Sequence, residues 1–221
     1  MHTGFPVDIV LLALVAGFLA LRLRSVLGRR TGFERPPMAE PPAGGAARQS
    51  GPPVIDGVAE PPRPARPLPA PHTVVGQALA RIAEAERGFD PPRFLEMAEA
   101  SFRRIVLAFA AGNVAVLRSL LTPSVLATFE QAIDARNAAG ETQHTEILRL
   151  VETTIDEADT IGGEAVIVVR FVSDQQNYTR DGQGQVIAGT ESMTEIVDLW
   201  TFEKQLGAAD PTWRLAAARS G

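Results

Sequence analysis

The sequence predicts an α+β protein in three parts: an N-terminal transmembrane helix, a disordered Pro-rich linker, and helices packed on a curved four-stranded antiparallel sheet. Three observations lead to this fold class. An uncharged apolar run covers residues 9–21, apolar residues recur at helical spacing between residues 74 and 139, and β-branched runs separated by turn residues follow. Helices that precede a series of strands are typical of α+β folds.

Charge is distributed unevenly along the chain. Residues 1–72 carry eight Arg against five acidic residues, a net charge of +3, whereas residues 73–221 carry thirteen basic against twenty-one acidic residues, a net charge of −8. Because nucleic-acid binding needs a basic surface, we do not expect a nucleic-acid partner. The sequence has no Cys and three His without metal-ligand spacing, so it predicts no metal and no cofactor.

Residues 1–30 predict a transmembrane anchor followed by a basic juxtamembrane segment. The stretch 5–27 would reach roughly 34 Å as a helix, which is enough to cross the hydrocarbon core of a bilayer. All the nearby Arg residues follow the apolar run and only Asp8 precedes it, so the positive-inside rule places the N-terminus outside and the rest in the cytoplasm. An interfacial helix and a cleaved signal peptide are the alternatives. The proposed anchor residues are Phe5, Ile9, Leu12, Val15, Phe18, Leu21, Arg22, Arg24, Arg29 and Arg30.

Residues 31–72 predict a disordered linker, because repeated Pro removes backbone donors and disfavours a helix. Residues 73–92 predict an amphipathic helix and a connection, and residues 93–221 an α+β domain. Within the domain, helical spacing predicts helices over residues 94–111, from Asn113 to Leu121, and from Pro123 to about Ala139.

Four strands are predicted after these helices. They cover residues 145–158, with a bulge, and then residues 165–173, 192–203 and 213–217. Gly162-Gly163 predicts the first turn, the stretch 180–184 the tip of a hairpin, and Asp210-Pro211 the last turn. Sequential strands joined by short turns indicate an antiparallel sheet.

Several stretches resemble a known family when they are taken in order. RLRSVLGRRTGFE resembles the juxtamembrane segment of bacterial Tim44-like adaptor proteins. AGNVAVLRSLLTPSVLATFEQAIDARNAAG, AVIVVRFVS, IVDLWTFEK and PTWRL resemble the C-terminal domain of the mitochondrial Tim44 family, an inner-membrane import translocase subunit. Lys204 stands where this pattern leads us to expect Arg, and the linker has no family signature.

The resemblance implies a nuclear-transport-factor-two-like fold and a membrane-tethered adaptor. The mitochondrial relative is a peripheral scaffold that recruits a DnaK-class chaperone and contacts anionic lipid, but its chaperone-recruiting region lies largely outside the matched stretches. We therefore expect a non-catalytic adaptor on the cytoplasmic face of the bacterial inner membrane. Its partners would be the membrane, with anionic lipid head groups, and a translocase or chaperone component in protein translocation or membrane-protein quality control.

Two alternatives depend on particular side chains. A lipid-binding domain would use an apolar pocket inside the sheet, whose candidate residues are Phe102, Ile105, Phe109, Phe129, Ile133, Phe171, Trp200 and Phe202. The same residues could equally form an ordinary core. A lyase, isomerase or hydrolase would use Asp198, with His144 as a possible second group. Asp198 could instead form a structural ion pair with Arg170 or Arg136, or lie on an outward-facing strand.

Overall fold

The computed structural model describes residues 66–221, so the predicted anchor at residues 1–30 and most of the predicted linker lie outside the described residues. Within this range the chain forms helices first and strands afterwards, which confirms the α+β class for this part. The helices are α1 (Val74–Ala85), α2 (Pro91–Ala110), α3 (Val114–Arg118) and α4 (Pro123–Ala138). The strands are β1 (Thr142–Ile161), β2 (Glu164–Arg180), β3 (Val186–Gln205) and β4 (Arg214–Ser220).

The helix starts follow from capping chemistry. Thr73 Oγ1 accepts a hydrogen bond from Gly76 N at 3.0 Å before α1, and Asp90 Oδ2 accepts one from Arg93 N at 3.1 Å before α2. Asn113 caps α3, as the sequence predicts. Helix α2 begins three residues earlier than predicted, because Pro91 and Pro92 fit the first turn of a helix, where the missing N–H groups need no partner.

Helix α3 is shorter than predicted and ends at Arg118. Leu121, which the spacing assigns to this helix, instead forms a parallel β-bridge with Leu215. The bridge joins the connection before α4 to the last strand, and Thr122 N donates to Leu215 O at 3.0 Å. A tertiary hydrogen bond therefore overrides the helical pattern at this point.

The four strands form one antiparallel sheet in the order β1-β2-β3-β4, as predicted. Strands β1, β2 and β3 are each longer than their apolar patterns indicate, because backbone pairing continues into polar residues on both sides of each turn. Phe171 lies at the centre, opposite Thr153 of β1 and Asp198 of β3. Residues directly opposite each other share a face of the sheet, so these three side chains lie on the inner face, under the helices.

Strand β1 confirms the predicted bulge and contains three register shifts, after Ile147, Leu150 and Ile155. Each extra residue bends the strand and increases its twist. The bending wraps β1 around the helices, and buried β1 residues such as Leu150 and Ile155 join the same core as α2.

The core lies between the inner face of the sheet and the helices, and α1 belongs to it. Leu79 and Ile82 of α1 are 5% and 0% exposed and pack in one cluster with Leu95 of α2 and Ile167 of β2. The sequence-based division at residue 93 separates α1 from the domain, whereas these contacts include it. Helix α1 therefore contributes to the stability of the folded unit.

The last residues of the predicted linker also contact the domain. Arg66 Nε and Nη2 donate to the two carboxylate oxygens of Glu99 in α2 at 2.6 and 2.7 Å, and the Glu99 side chain is only 10% exposed. A Cβ added to Gly76 would overlap the Ala70 carbonyl, so the linker backbone packs directly on α1. The bidentate ion pair ties the described end of the linker to α2.

We expect Arg66→Ala to release residues 66–73 and to lower the free energy of unfolding by about 1–3 kcal/mol, since a largely buried carboxylate loses its charged partner. Limited proteolysis with mass spectrometry should show faster cleavage before Thr73 than in the wild type. Arg93→Ala is the matched control, because Arg93 is an exposed Arg on α2, the helix that carries Glu99. Equal cleavage rates in the wild type and in Arg66→Ala would show that the Arg66–Glu99 ion pair does not hold residues 66–73 on the domain.

A second ion pair joins α1 to the sheet. Lys204 Nζ, on the inner face of β3, lies 2.7 Å from Glu86 Oε1, and Gly207 N donates to Glu86 Oε2 at 3.2 Å. The Lys204 side chain is 6% exposed and that of Glu86 17%. The hydrogen bond from Lys204, together with that from Gly207, lowers the pKa of Glu86 below its ordinary value of 4.5.

This lowered pKa predicts a pH dependence. Because the folded protein binds the Glu86 proton more weakly than the unfolded chain does, the stabilisation is fully present above about pH 4.5 and is lost as the pH falls through the lower folded pKa. The difference in free energy of unfolding between wild type and Glu86→Gln should be constant from pH 5.5 to 7 and shrink below pH 4.5. A difference that stays unchanged down to pH 3 would contradict the assignment.

Candidate functional site

The eight predicted pocket residues come together in the structure. All belong to the core between sheet and helices or pack against it; Phe109 is half-buried and the others are buried. Phe102 stacks on Phe171 with ring centroids 4.5 Å apart and lies 4.7 Å from Trp200. These rings contact each other, as in an ordinary core. A ligand pocket among them stays a prediction.

Beyond Phe171 the inner face changes from apolar to polar. The next inward residues of β2 are Ser173, Gln175 and Asn177, and the first two are 0% exposed. Gln175 Nε2 donates to Ser173 Oγ at 2.8 Å. The predicted strand ends at Ser173, where apolar residues give way to DQQNY, so Gln175 and Asn177 fall outside it. The available signal was the continued alternation of small and amide side chains.

Asp198 lies on this inner face and is 2% exposed. The register places it opposite Phe171 on β2 and Ser220 on β4, two positions before Trp200. The outward-facing alternative is therefore wrong. Arg170 lies on the opposite face, where its Nη1 atom is 3.3 Å from Glu152 Oε1.

His144 is not close to Asp198 in the way that a catalytic pair requires. It pairs with Tyr178, whose ring centroid lies 4.8 Å from that of the imidazole, on the outer face of the sheet. On the inner face, the buried atoms Thr153 Oγ1 and Trp200 Nε1 have no hydrogen-bond partner within residues 66–221. These two donors flank the boundary between the apolar and polar parts of the inner face.

Arg136 lies near the end of α4, at the hairpin end of the domain, where the α4–β1 turn approaches the β2–β3 turn. Its Nη1 donates to Gln143 Oε1 at 2.6 Å and its Nη2 to Phe109 O at 2.9 Å. The guanidinium carbon lies 5.3 Å from the centroid of the Phe109 ring. Burial lowers the pKa of Arg136, an effect that nearby Glu141 partly offsets.

The polar network continues from Gln143 to β2. Gln143 Nε2 donates to Asn177 Oδ1 at 3.2 Å, and Thr145 Oγ1 donates to the same oxygen at 3.1 Å. Gln143 and Asn177 thus connect Arg136 to the polar inner face. Across residues 66–221, no group of three His, Asp or Glu side chains is arranged to hold a metal ion. None of the helices formed by these residues is long and apolar enough to cross a membrane.

The described residues thus define an α+β domain with four helices over a sequential antiparallel sheet and a polar end to its inner face. The Tim44-like domain family matches residues 75–220, about two thirds of the chain. The chain belongs to the Tim44-like domain family, which confirms the resemblance found in its motifs. No curated protein sequence matches the chain.

The solved structures that the chain matches have low sequence identity to it. The intermembrane space region of the chloroplast protein ARC6 is 9% identical, with a TM-score of 0.41 over 57% of this chain and 95% of that one. A dehydratase-like protein of the NTF2-like family from Streptomyces avermitilis is 13% identical, with a TM-score of 0.34 over 59% and 96%. A ketosteroid isomerase-like protein from Shewanella frigidimarina is 16% identical, with a TM-score of 0.30 over 55% and 92%.

Proposed function

We propose that this chain is a non-catalytic adaptor that holds a protein partner at the cytoplasmic face of a bacterial inner membrane, in protein translocation or membrane-protein quality control. The observation that carries the proposal is the order of parts in one chain. A Tim44-like domain at residues 75–220 follows an uncharged apolar run at residues 9–21 and the four Arg residues that come directly after that run, an order that favours a cytoplasmic domain under the positive-inside rule.

The mechanism would be recruitment through local concentration. Residues 31–65 join the proposed anchor to the domain, and Arg66, the next residue, forms an ion pair with Glu99 of α2. A partner bound to the domain would be confined to a thin layer at the membrane, so modest intrinsic affinity would suffice. The acidic domain, with its net charge of −8 from residue 73 onward, favours a partner surface that is neutral or basic.

The test is crosslinking in intact cells followed by mass spectrometry, with the full chain and with residues 1–30 deleted. Under the adaptor proposal, the full chain crosslinks to membrane translocation or quality-control proteins, and deletion reduces their yield at least several-fold. Recovery of only soluble metabolic enzymes, in amounts unaffected by the deletion, would contradict the proposal.

A second candidate, a lyase, isomerase or hydrolase, is favoured by the burial of Asp198 on the inner face of the sheet, the face that also holds the buried donor atoms Trp200 Nε1 and Thr153 Oγ1. Asp198→Asn separates the two functions. An adaptor should keep its crosslinked partners in this variant, and cells that carry the variant should keep the wild-type phenotype, judged against cells that lack the chain. An enzyme should lose the phenotype while folding, membrane association and crosslinks stay at wild-type levels.

A further inference from the structure

Arg136 differs from the ion-paired Arg residues of the domain in its acceptors. Its two hydrogen bonds go to neutral oxygens, the Gln143 amide and the Phe109 carbonyl. Within residues 66–221 no carboxylate lies at ion-pair distance from its guanidinium, although Arg118, Arg149 and Arg170 all pair with an acid. Arg136 therefore makes no direct ion pair within residues 66–221, although its domain carries twenty-one acidic residues.

Two hydrogen bonds hold the guanidinium in place, and its other N–H groups make no hydrogen bond within residues 66–221. A guanidinium has five N–H groups, and two of those of Arg136 are used within the described chain. Gln143 orients one end while its own amide nitrogen is engaged with Asn177 Oδ1. The residue is half-buried, so its side chain is partly removed from water but not closed off from it. A planar guanidinium that is fixed in position and has unused N–H donors matches the geometry of a planar anion.

The surroundings limit which anion can bind. Phe109, the aromatic ring under the guanidinium, lies 4.9 Å from Phe129 in an edge-to-face pair, so the site has an apolar side. The acidic domain repels a dianion more strongly than a monoanion. Glu141 adds to that repulsion, since its carboxylate is near enough to raise the pKa of Arg136. A carboxylate, with one negative charge, suits this environment better than a phosphate.

We infer that Arg136, oriented by Gln143 and Phe109, binds a single carboxylate attached to an apolar group at the hairpin end of the domain. The carboxylate would accept from the free N–H groups of Arg136, and its apolar part would contact Phe109. Two sources carry this chemistry, the C-terminus of a peptide that ends in an apolar residue and a short fatty acid. Binding at this site does not depend on the adaptor proposal or on membrane location.

The test follows the side-chain Nε–H resonance of Arg136 by NMR in the full-length protein, held in a zwitterionic detergent. Benzoate is the first probe, with benzamide as its neutral isostere. N-acetylphenylalanine represents the peptide source and hexanoate the fatty-acid source. The probe that binds with the higher affinity identifies the source. We expect saturable shifts at Arg136 with all three carboxylates and none with benzamide.

Arg136→Gln should weaken benzoate binding at least about tenfold, because a charge-assisted hydrogen bond is lost; in this variant, binding is followed through the side-chain amide resonance of Gln143, which contacts Arg136 in the wild type. Arg118→Gln is the matched control, since Arg118 is 70% exposed and already faces Glu130 at 3.4 Å. The shifts of the Arg136 resonance are measured in the wild-type protein. The test therefore still decides the question if Arg136→Gln fails to fold. Equal shifts at Arg118 and Arg136, no shift with benzoate, or a response to inorganic phosphate alone would each overturn the inference.

Discussion

Phe171→Ala should lower the free energy of unfolding by about 3–5 kcal/mol, the largest effect that we expect from a single substitution. The ring is 0% exposed, stacks on Phe102 at 4.5 Å and meets Trp200 edge-on at 5.8 Å. It lies at the centre of the sheet, so neighbouring strands on both sides hold the surrounding atoms and limit collapse into the cavity. Urea unfolding followed by Trp fluorescence and circular dichroism measures the change.

Ile161→Ala is the matched control for Phe171→Ala. Ile161 is a large apolar residue in strand β1 but is 60% exposed, so its truncation should change the free energy of unfolding by less than about 0.5 kcal/mol. If Phe171→Ala costs less than about 1 kcal/mol, the rings do not form a packed core. That result would favour the apolar ligand pocket predicted from the sequence.

Glu86→Gln should lower the free energy of unfolding by about 3 kcal/mol, because it leaves the buried ammonium of Lys204 without a carboxylate. Lys204→Met should cost less, since Glu86 is more exposed and can regain water. The double variant should cost less than the sum of the two single changes, because both disrupt the same interaction. Chemical denaturation of the wild type, the two single variants and the double variant at pH 7 measures the free energies of unfolding for this double-mutant cycle.

Lys204→Arg tests the same pair in the opposite direction, since it keeps the positive charge and supplies the residue that the family resemblance led us to expect. It should retain most of the stability lost in Lys204→Met. Asp159→Asn is the control, because Asp159 meets Arg81 at 3.9 Å with both side chains more than half exposed. Full additivity of Glu86→Gln and Lys204→Met would contradict coupling between α1 and β3.

The fold of the described domain was predictable from local signals. The cap at Asn113, Pro123 at the start of α4 and the glycine-containing turns mark real boundaries. Sequential strands with short turns permit few topologies. The extra length of β1 and β3 was not predictable from apolar alternation. Hydrogen bonds between strands hold polar segments in the sheet. The residues of one strand do not show which strand it pairs with or how far the pairing extends.

The candidate sites were predictable only in part. Aromatic residues at helix and strand spacing identify the core group around Phe171, although the pattern does not distinguish a core from a pocket. Asp198 was recognised because an acid interrupts an apolar alternation. Arg136 was considered only as a partner for Asp198. Its role depends on Gln143, seven residues away across a turn, and on a carbonyl of α2. Only the fold brings these groups together.

The central claim is that a membrane anchor holds the Tim44-like domain on the cytoplasmic side. The most direct test is fractionation of cells that carry the full-length chain with a C-terminal epitope, followed by protease treatment of spheroplasts and of inverted vesicles. The account predicts that the chain stays with inner membranes after carbonate washing, resists protease in spheroplasts and is cleaved in inverted vesicles. A full-length chain free in the soluble fraction, or a domain digested in intact spheroplasts, would contradict it.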